Sequence, residues 1–370
     1  MTAVPLLPAR TGAPELRQDG PPSLRERFGA LHLPWLPLGS CPTPVEHLPE
    51  LSKELQSSVW VKRDDRSGHA YGGNKVRKLE LLLAEAVARG KRTVITLGAY
   101  GSHHGLATAI YARQLGLACE LVLHPQPLTD HVLDDLLADH ALGARLIRVS
   151  RPTLGVLRAR ARAIRADRGY LIPGGGSSPL GAIGFVDAGL ELGAQVRRGE
   201  LPAPDLVFVA AGTCGTAAGL ALGLELAGLH TTRLVAVRVV PAILANLINV
   251  RRLERGALRL LRRAGLAAPP RRPTDVVLDA QELGPGYGRQ TASGQAAVER
   301  FARHGIELES TYTGKAAAAL LRWTARPARG RTVLFWNTYN GVDIRPLARQ
   351  VDPASLPAEL HPVLREGGRL

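Results

Sequence analysis

Gly72-Gly73-Asn74-Lys75-Val76-Arg77-Lys78-Leu79-Glu80 is the stretch from which the fold can be read outward. A strand-like run, Val59 to Arg63, precedes it through the charged turn Asp64 to Gly68. Beyond it, Val76, Leu79, Leu82, Leu83 and Ala86 fall on one face at helical spacing. Lys75 is unusually placed for a charged residue. The backbone dipole disfavours positive charge at a helix N-terminus, so the lysine gains no stability there. The two glycines allow a bulky planar group to approach the backbone closely. An amine held there out of water has its pKa lowered and becomes a nucleophile. A solvated lysine following a loop is the simpler alternative.

The 370 residues allow about two domains. An apolar share of 45% with 21% charged residues is that of a soluble globular protein. No apolar run approaches the roughly 20 residues of a membrane span. The N-terminus lacks a basic segment followed by an apolar one, so no signal peptide is expected. Cys41, Cys119 and Cys214 are widely spaced without metal-type pairing, which fits a reducing cytoplasm. The net charge of +15 raises the question of nucleic acid. Arginine is spread along most helices, however, and the 4% aromatic content supplies no stacking platform. No specific nucleic-acid partner is expected. Lysine occurs only at 53, 62, 75, 78, 91 and 315, which leaves few candidates for amine chemistry.

Along the chain, residues 1–25 read as a loose extension, and Pro34 to Leu51 as an extended surface crossing. From Val59 onward strands alternate with helices. Helical patterns cover His103 to Leu115, Asp130 to Leu142 with Asp130 as N-cap, Leu154 to Arg168 and Leu180 to Val196. The second half repeats the theme, ending in the strand Thr332 to Trp336. Ile243 to Ala264 reads as a helix with a solvated arginine face. Such alternation predicts an α/β protein with parallel twisted sheets flanked by helices. Ligands in such sheets sit at the carboxyl ends of the strands, where the glycine turns lie.

Three further stretches carry chemistry. Gly212-Thr213-Cys214-Gly215-Thr216 lies between a buried strand and a helix start, where successive N–H groups and the helix dipole bind phosphate. A plain tight turn is the alternative. Ser102-His103-His104 occupies a similar strand-to-helix turn suited to a carboxylate, with Ser102 equally readable as a helix N-cap. The adjacent histidines lack a further ligand at metal spacing, so no metal is expected. Tyr287 and Tyr312 are loop-borne phenols, each either an acid–base group or a packed aromatic. A nucleophilic lysine, a phosphate cradle and a carboxylate turn are the fixtures that pyridoxal 5′-phosphate (PLP) needs with an amino-acid substrate.

With these motifs assembled, the chain from Pro42-Thr43-Pro44 to Gly341 resembles the D-cysteine desulfhydrase and 1-aminocyclopropane-1-carboxylate (ACC) deaminase group of fold-type II PLP enzymes. This is the tryptophan synthase β-like fold. The carriers are Lys62-Arg63-Asp64-Asp65, the Lys75 stretch, the Ser102 turn and Ile172-Pro173-Gly174-Gly175-Gly176-Ser177, followed by the Gly212 loop, Gly284-Pro285-Gly286-Tyr287-Gly288 and Tyr312-Thr313-Gly314-Lys315. The resemblance implies Lys75 as the Schiff-base lysine, Gly212 to Thr216 as the phosphate loop, and Asn74, His103, Thr313 and Thr338 as further cofactor contacts. It places Ser102, His103, His104 and Tyr339 beside the substrate and Tyr287 and Tyr312 in catalysis. It also implies a homodimer, with a large domain (26–78 and 186–370) and an inserted small domain (79–185).

Thr313 stands where ACC deaminases of this group carry a glutamate facing the pyridine nitrogen. A hydroxyl leaves the ring closer to neutral, which suffices for a good leaving group such as thiolate. The resemblance therefore implies conversion of D-cysteine to pyruvate, ammonia and hydrogen sulfide. ACC deamination, another lyase or β-replacement reaction, and a non-catalytic PLP-binding homologue are the alternatives. His103 replaces the group's usual asparagine, and a protonated His103 is expected to stabilise the cofactor's phenolate. Tyr339 is likewise bulkier than the usual residue.

Overall fold

The computed structural model describes residues 14–165, 169–267, 272–325 and 330–366. Among these, the first strands are β1 (Val45–His47), β2 (Ser58–Lys62), β3 (Thr93–Ala99), β4 (Ala118–His124) and β5 (Arg145–Arg148). They are followed by β6 (Gly169–Leu171), β7 (Leu206–Ala211), β8 (Arg233–Arg238), β9 (Val276–Asp279) and β10 (Thr332–Trp336). One sheet has the order β1-β2-β10-β7-β8-β9 and the other β5-β4-β3-β6. The pairings are parallel apart from β1 on β2. Helical returns make this possible, since parallel neighbours need a long crossover. All six residues of β7 are buried, as expected for a strand covered by helices on both faces. The last strand in sequence is central in space: Leu334 of β10 lies opposite both Trp60 of β2 and Val207 of β7.

Several local expectations are corrected. Residues 14–25, read as loose, pack on the body: Leu24 is buried and its N–H donates to Asp187 Oδ1 at 2.8 Å. The remainder of that extension lies outside the described residues. Pro34 to Leu51 is no surface crossing, since Leu36, Leu38, Thr43, Leu48 and Leu51 are buried. Thr129, rather than Asp130, caps the Asp130–Ala141 helix by accepting the Val132 N–H. The arginine-rich helix starts at Leu247, where Asn246 caps it by accepting the Asn249 N–H. Its Arg252, Arg255, Arg259, Arg262 and Arg263 are exposed. The helix Pro152–Arg165 covers the part of Leu154 to Arg168 that is described. No helix among the described residues is long and apolar enough to cross a membrane.

The Asn74–Ala88 helix is held by a buried charge network. The Arg77 guanidinium donates to Asp64 Oδ2 at 3.0 Å and Oδ1 at 2.8 Å, and to both Glu191 oxygens at 3.0 Å. Lys62 Nζ donates to Glu191 Oε1 at 2.5 Å and Gln195 Oε1 at 2.6 Å, while Trp336 Nε1 donates to Asp64 Oδ2 at 2.8 Å. Two cations and two anions are thereby matched out of water. Burial alone would raise the Glu191 pKa, but Arg77 and Lys62 overrule it and hold it down to about 2. Close helix crossings complete the frame. A Cβ at Gly184 would lie 2.0 Å from the Arg77 carbonyl oxygen, and one at Gly219 would lie 2.2 Å from that of Ala182. The helices Pro179–Arg197 and Gly215–Ala227 can therefore meet backbone to backbone only where glycine occurs.

Substituting Arg77→Met would leave the two buried carboxylates, Asp64 and Glu191, with Lys62 as their one remaining cation, at a cost of about 3–5 kcal/mol in urea unfolding. Glu191 is ionised in the folded state down to about pH 2, so its contribution is present above about 4.5 and lost as pH falls toward 2. The R77M variant should therefore unfold at a higher pH in an acid titration than the parent chain.

Candidate active site

Lys75 lies half-buried in the first turn of its helix. The glycines before it serve the protein's own backbone. A Cβ at Gly72 would sit 2.2 Å from the Asp65 carbonyl oxygen, and one at Gly73 2.7 Å from the carbonyl oxygens of Thr338 and Tyr339. Gly73 also adopts φ +81°, a left-handed conformation that other residues rarely take. The Gly72 N–H donates to Asn340 Oδ1 at 2.7 Å, and the Asn74 N–H to the Thr338 carbonyl at 3.3 Å. Burial lowers the Lys75 pKa to about 8, against an opposing pull from the Glu309 carboxylate. A usable fraction of free amine is therefore present near neutral pH.

The Gly212 loop joins β7 to the Gly215–Ala227 helix. Cys214, at φ +66°, turns the chain into the helix, and its buried thiol points to the Leu244 carbonyl at 3.5 Å. Burial raises that thiol's pKa, so Cys214 is a packing residue. Asn74 Nδ2 donates to Thr216 Oγ1 at 3.1 Å, tying the lysine turn to the loop. Ser177, not singled out as a ligand from sequence, lies 2.6 Å from Thr213 Oγ1 and accepts the Gly215 N–H at 3.2 Å. Lys78 holds this second glycine loop through the Gly175 carbonyl at 3.1 Å. The result is a small polar cradle at a helix N-terminus, next to Lys75.

Ser102 is the N-cap of the His103–Gln114 helix and accepts the Gly105 N–H at 3.2 Å. The two histidines diverge. His104 turns inward beneath the helix and lies buried, 3.0 Å from Thr96 Oγ1, so it does not join the cleft. His103 faces Tyr312 and Tyr339, with ring centroids 6.2 Å and 5.9 Å away. Burial, with His131 and Lys75 adding to it, pushes the His103 pKa down to about 3. The expected imidazolium is thus replaced by a neutral ring.

Tyr287 and Tyr312 meet directly, hydroxyl to hydroxyl at 2.7 Å, with their rings edge to face. Burial raises the pKa of both phenols, so they are neutral hydrogen-bond donors at physiological pH. A Cβ at Gly212 would lie 3.5 Å from Tyr312 Cε1, which puts this pair beside the cradle. Thr313 is buried: its Oγ1 accepts the Glu309 N–H at 2.9 Å and lies 3.2 Å from that residue's carbonyl and carboxylate oxygens. Glu309, missed from sequence, accepts the N–H groups of Thr311, Tyr312 and Thr313 at 2.6–2.8 Å. An acidic residue just ahead of a helix start was the available signal. Thr338 lies two residues beyond the end of β10, where its carbonyl accepts the Asn74 N–H of the lysine turn. One cleft therefore gathers Lys75, Asn74, the Gly212–Thr216 loop, His103, Tyr287, Tyr312, Thr338 and Tyr339.

Residues 36–338 match the family described as pyridoxal-phosphate dependent enzyme. D-cysteine desulfhydrase from Klebsiella pneumoniae subsp. pneumoniae is 37% identical over 298 residues, covering 78% of this chain and 88% of that protein. The Salmonella choleraesuis protein of the same name is 37% identical over 305 residues, with the same coverage. The crystal structure of an ACC deaminase homologue superposes with a TM-score of 0.73 at 30% identity, covering 87% of this chain and 96% of that one. A fungal L-serine ammonia-lyase from Rhizomucor miehei shares the fold at a TM-score of 0.59 and 21% identity, over 85% of this chain and 98% of that one. A lysine made nucleophilic by burial and set beside a helix-start cradle is what such a family requires, and the chain belongs to the pyridoxal-phosphate-dependent enzymes, in the D-cysteine desulfhydrase and ACC deaminase family.

Proposed function

We propose that the enzyme carries out β-elimination on D-cysteine, releasing pyruvate, ammonia and hydrogen sulfide. The observation that carries this reading is that the carboxylate influencing Lys75, Glu309, is committed to three backbone N–H groups and so is not free to partner the cofactor ring. A ring without a carboxylate partner favours a substrate with a good leaving group. The relatives named D-cysteine desulfhydrase support the same choice.

The residues fit the cofactor. The Gly212–Thr216 turn offers amides and a helix dipole to its phosphate, with Asn74 and Ser177 fixing the loop. Lys75 supplies the covalent anchor. When bound, PLP supplies the electron sink for cleavage next to the substrate's α-carbon. Lys75, as free amine, takes the α-proton from the substrate. The Ser102 turn receives the substrate carboxylate. Neutral His103 would offer the bound cofactor a hydrogen bond without adding charge. The Tyr287–Tyr312 pair delivers a proton to the departing thiolate. On this reading the cleft separates a large domain (26–78 and 186–370) from a small one (79–185), and the three free cysteines suit the cytoplasm. The enzyme works as a homodimer, supported by the contiguous exposed apolar residues Ile243 (81%), Leu244, Leu247 and Ile248 (80%).

With D-cysteine the enzyme should release pyruvate and sulfide in equal amounts. Preferential 2-oxobutyrate formation from ACC would assign it to the deaminases, and no keto acid from any substrate of a D- and L-amino-acid panel would overturn the reading. Tyr287→Phe should lower kcat on D-cysteine by about 10²–10⁴ while leaving the thermal midpoint nearly unchanged. Covalent capture of PLP by apoenzyme should accelerate as pH rises through about 8, where Lys75 loses its proton, rather than near 10.5. Ile248→Asp should shift the sedimenting species from dimer to monomer.

A further inference from the structure

We propose that His103, His131 and Asp135 form a binding site for a divalent cation of the zinc class at the edge of the catalytic cleft. The site comes from two helices. His103 begins the His103–Gln114 helix, while His131 and Asp135 lie one turn apart on the Asp130–Ala141 helix and so share a face. The two imidazole Nε2 atoms are 2.9 Å apart, His131 Nε2 is 3.7 Å from Asp135 Oδ2, and all three donor atoms lie within 4.8 Å of one another. Donors around a tetrahedral zinc ion with bonds near 2.0–2.1 Å stand about 3.3 Å apart, so small side-chain rotations would close the set.

A second observation points to the same place. Asp135 is 1% exposed, yet neither carboxylate oxygen has a hydrogen-bond partner. Buried carboxylates in folded proteins are almost always paired, bonded or metal-bound. His131 is too distant to satisfy Asp135 by a hydrogen bond and is itself turned toward His103. A cation between the three groups would give the carboxylate its missing partner and engage both imidazole lone pairs. Two histidines and one carboxylate, with a fourth position left to water, form a common donor set for such ions. The adjacent pair in sequence, His103 and His104, is not the metal pair, because His104 points to Thr96.

The test uses holoenzyme freed of metal with a chelator and titrated with Zn²⁺ against a chromogenic competitor. One zinc per chain is expected. His131→Ala and Asp135→Asn, neither placed in the catalytic machinery, should each weaken binding by on the order of 100-fold or more. His131 is exposed, so H131A should retain the parent's circular dichroism and thermal midpoint. Unchanged zinc affinity in both variants would overturn the proposal, as would the lack of any saturable binding below about 1 mM zinc. The readout is binding, so it is independent of which amino acid the enzyme consumes.

Discussion

Arg77 is the residue on which the geometry of the site turns. It follows Lys75 by two positions, and its planar guanidinium is shared between Asp64, just after β2, and Glu191 on the long Pro179–Arg197 helix. A bidentate donor of this kind fixes orientation as well as position. The first turn of the lysine helix therefore cannot rotate without breaking charge-assisted bonds in a dry interior. Lys62 and Trp336 extend the same network to two neighbouring strands of the larger sheet. The nucleophile gains no stability from its own location; the clamp next to it supplies what the helix dipole withholds.

The electrostatics of the cleft follow one pattern: burial moves each group toward its neutral form. Lys75 loses its proton more readily, His103 remains uncharged, and the two facing tyrosines keep their protons. The site thus combines an amine able to accept a proton with phenols able to donate one, as elimination requires of its base and acid. Glu309 limits the effect at Lys75, since its negative charge favours the ammonium. By binding three consecutive backbone N–H groups, that carboxylate also anchors the turn carrying Tyr312.

The strands and glycine turns were legible in the sequence because they rest on local pattern. β10 falls where the run Thr332 to Trp336 puts it, and Lys75 and the Gly212 loop both lie at helix starts. What could not be read depends on partners distant in sequence. Residues 14–25 look loose until Asp187 accepts the Leu24 N–H. His103 and His104 look like a pair, but successive helix positions diverge by about 100°, and the partner of His103 is His131 on the next helix. Thr313 reads as a ring-facing hydroxyl only until Glu309, four residues earlier, engages it. The glycines before Lys75 were assigned to a ligand's approach, while their neighbours are the backbone of Asp65, Thr338 and Tyr339.

That last contact bears on how the enzyme matures during synthesis. Gly72 is bonded to Asn340, 268 positions later, and the lysine turn rests on the segment that ends the final strand. A nascent chain that has already exposed Lys75 still lacks the wall that shapes its turn until the segment around Asn340 has left the ribosome as well. The nucleophile therefore stays unformed while the chain is incomplete, and a prematurely terminated product would contain the lysine without the site.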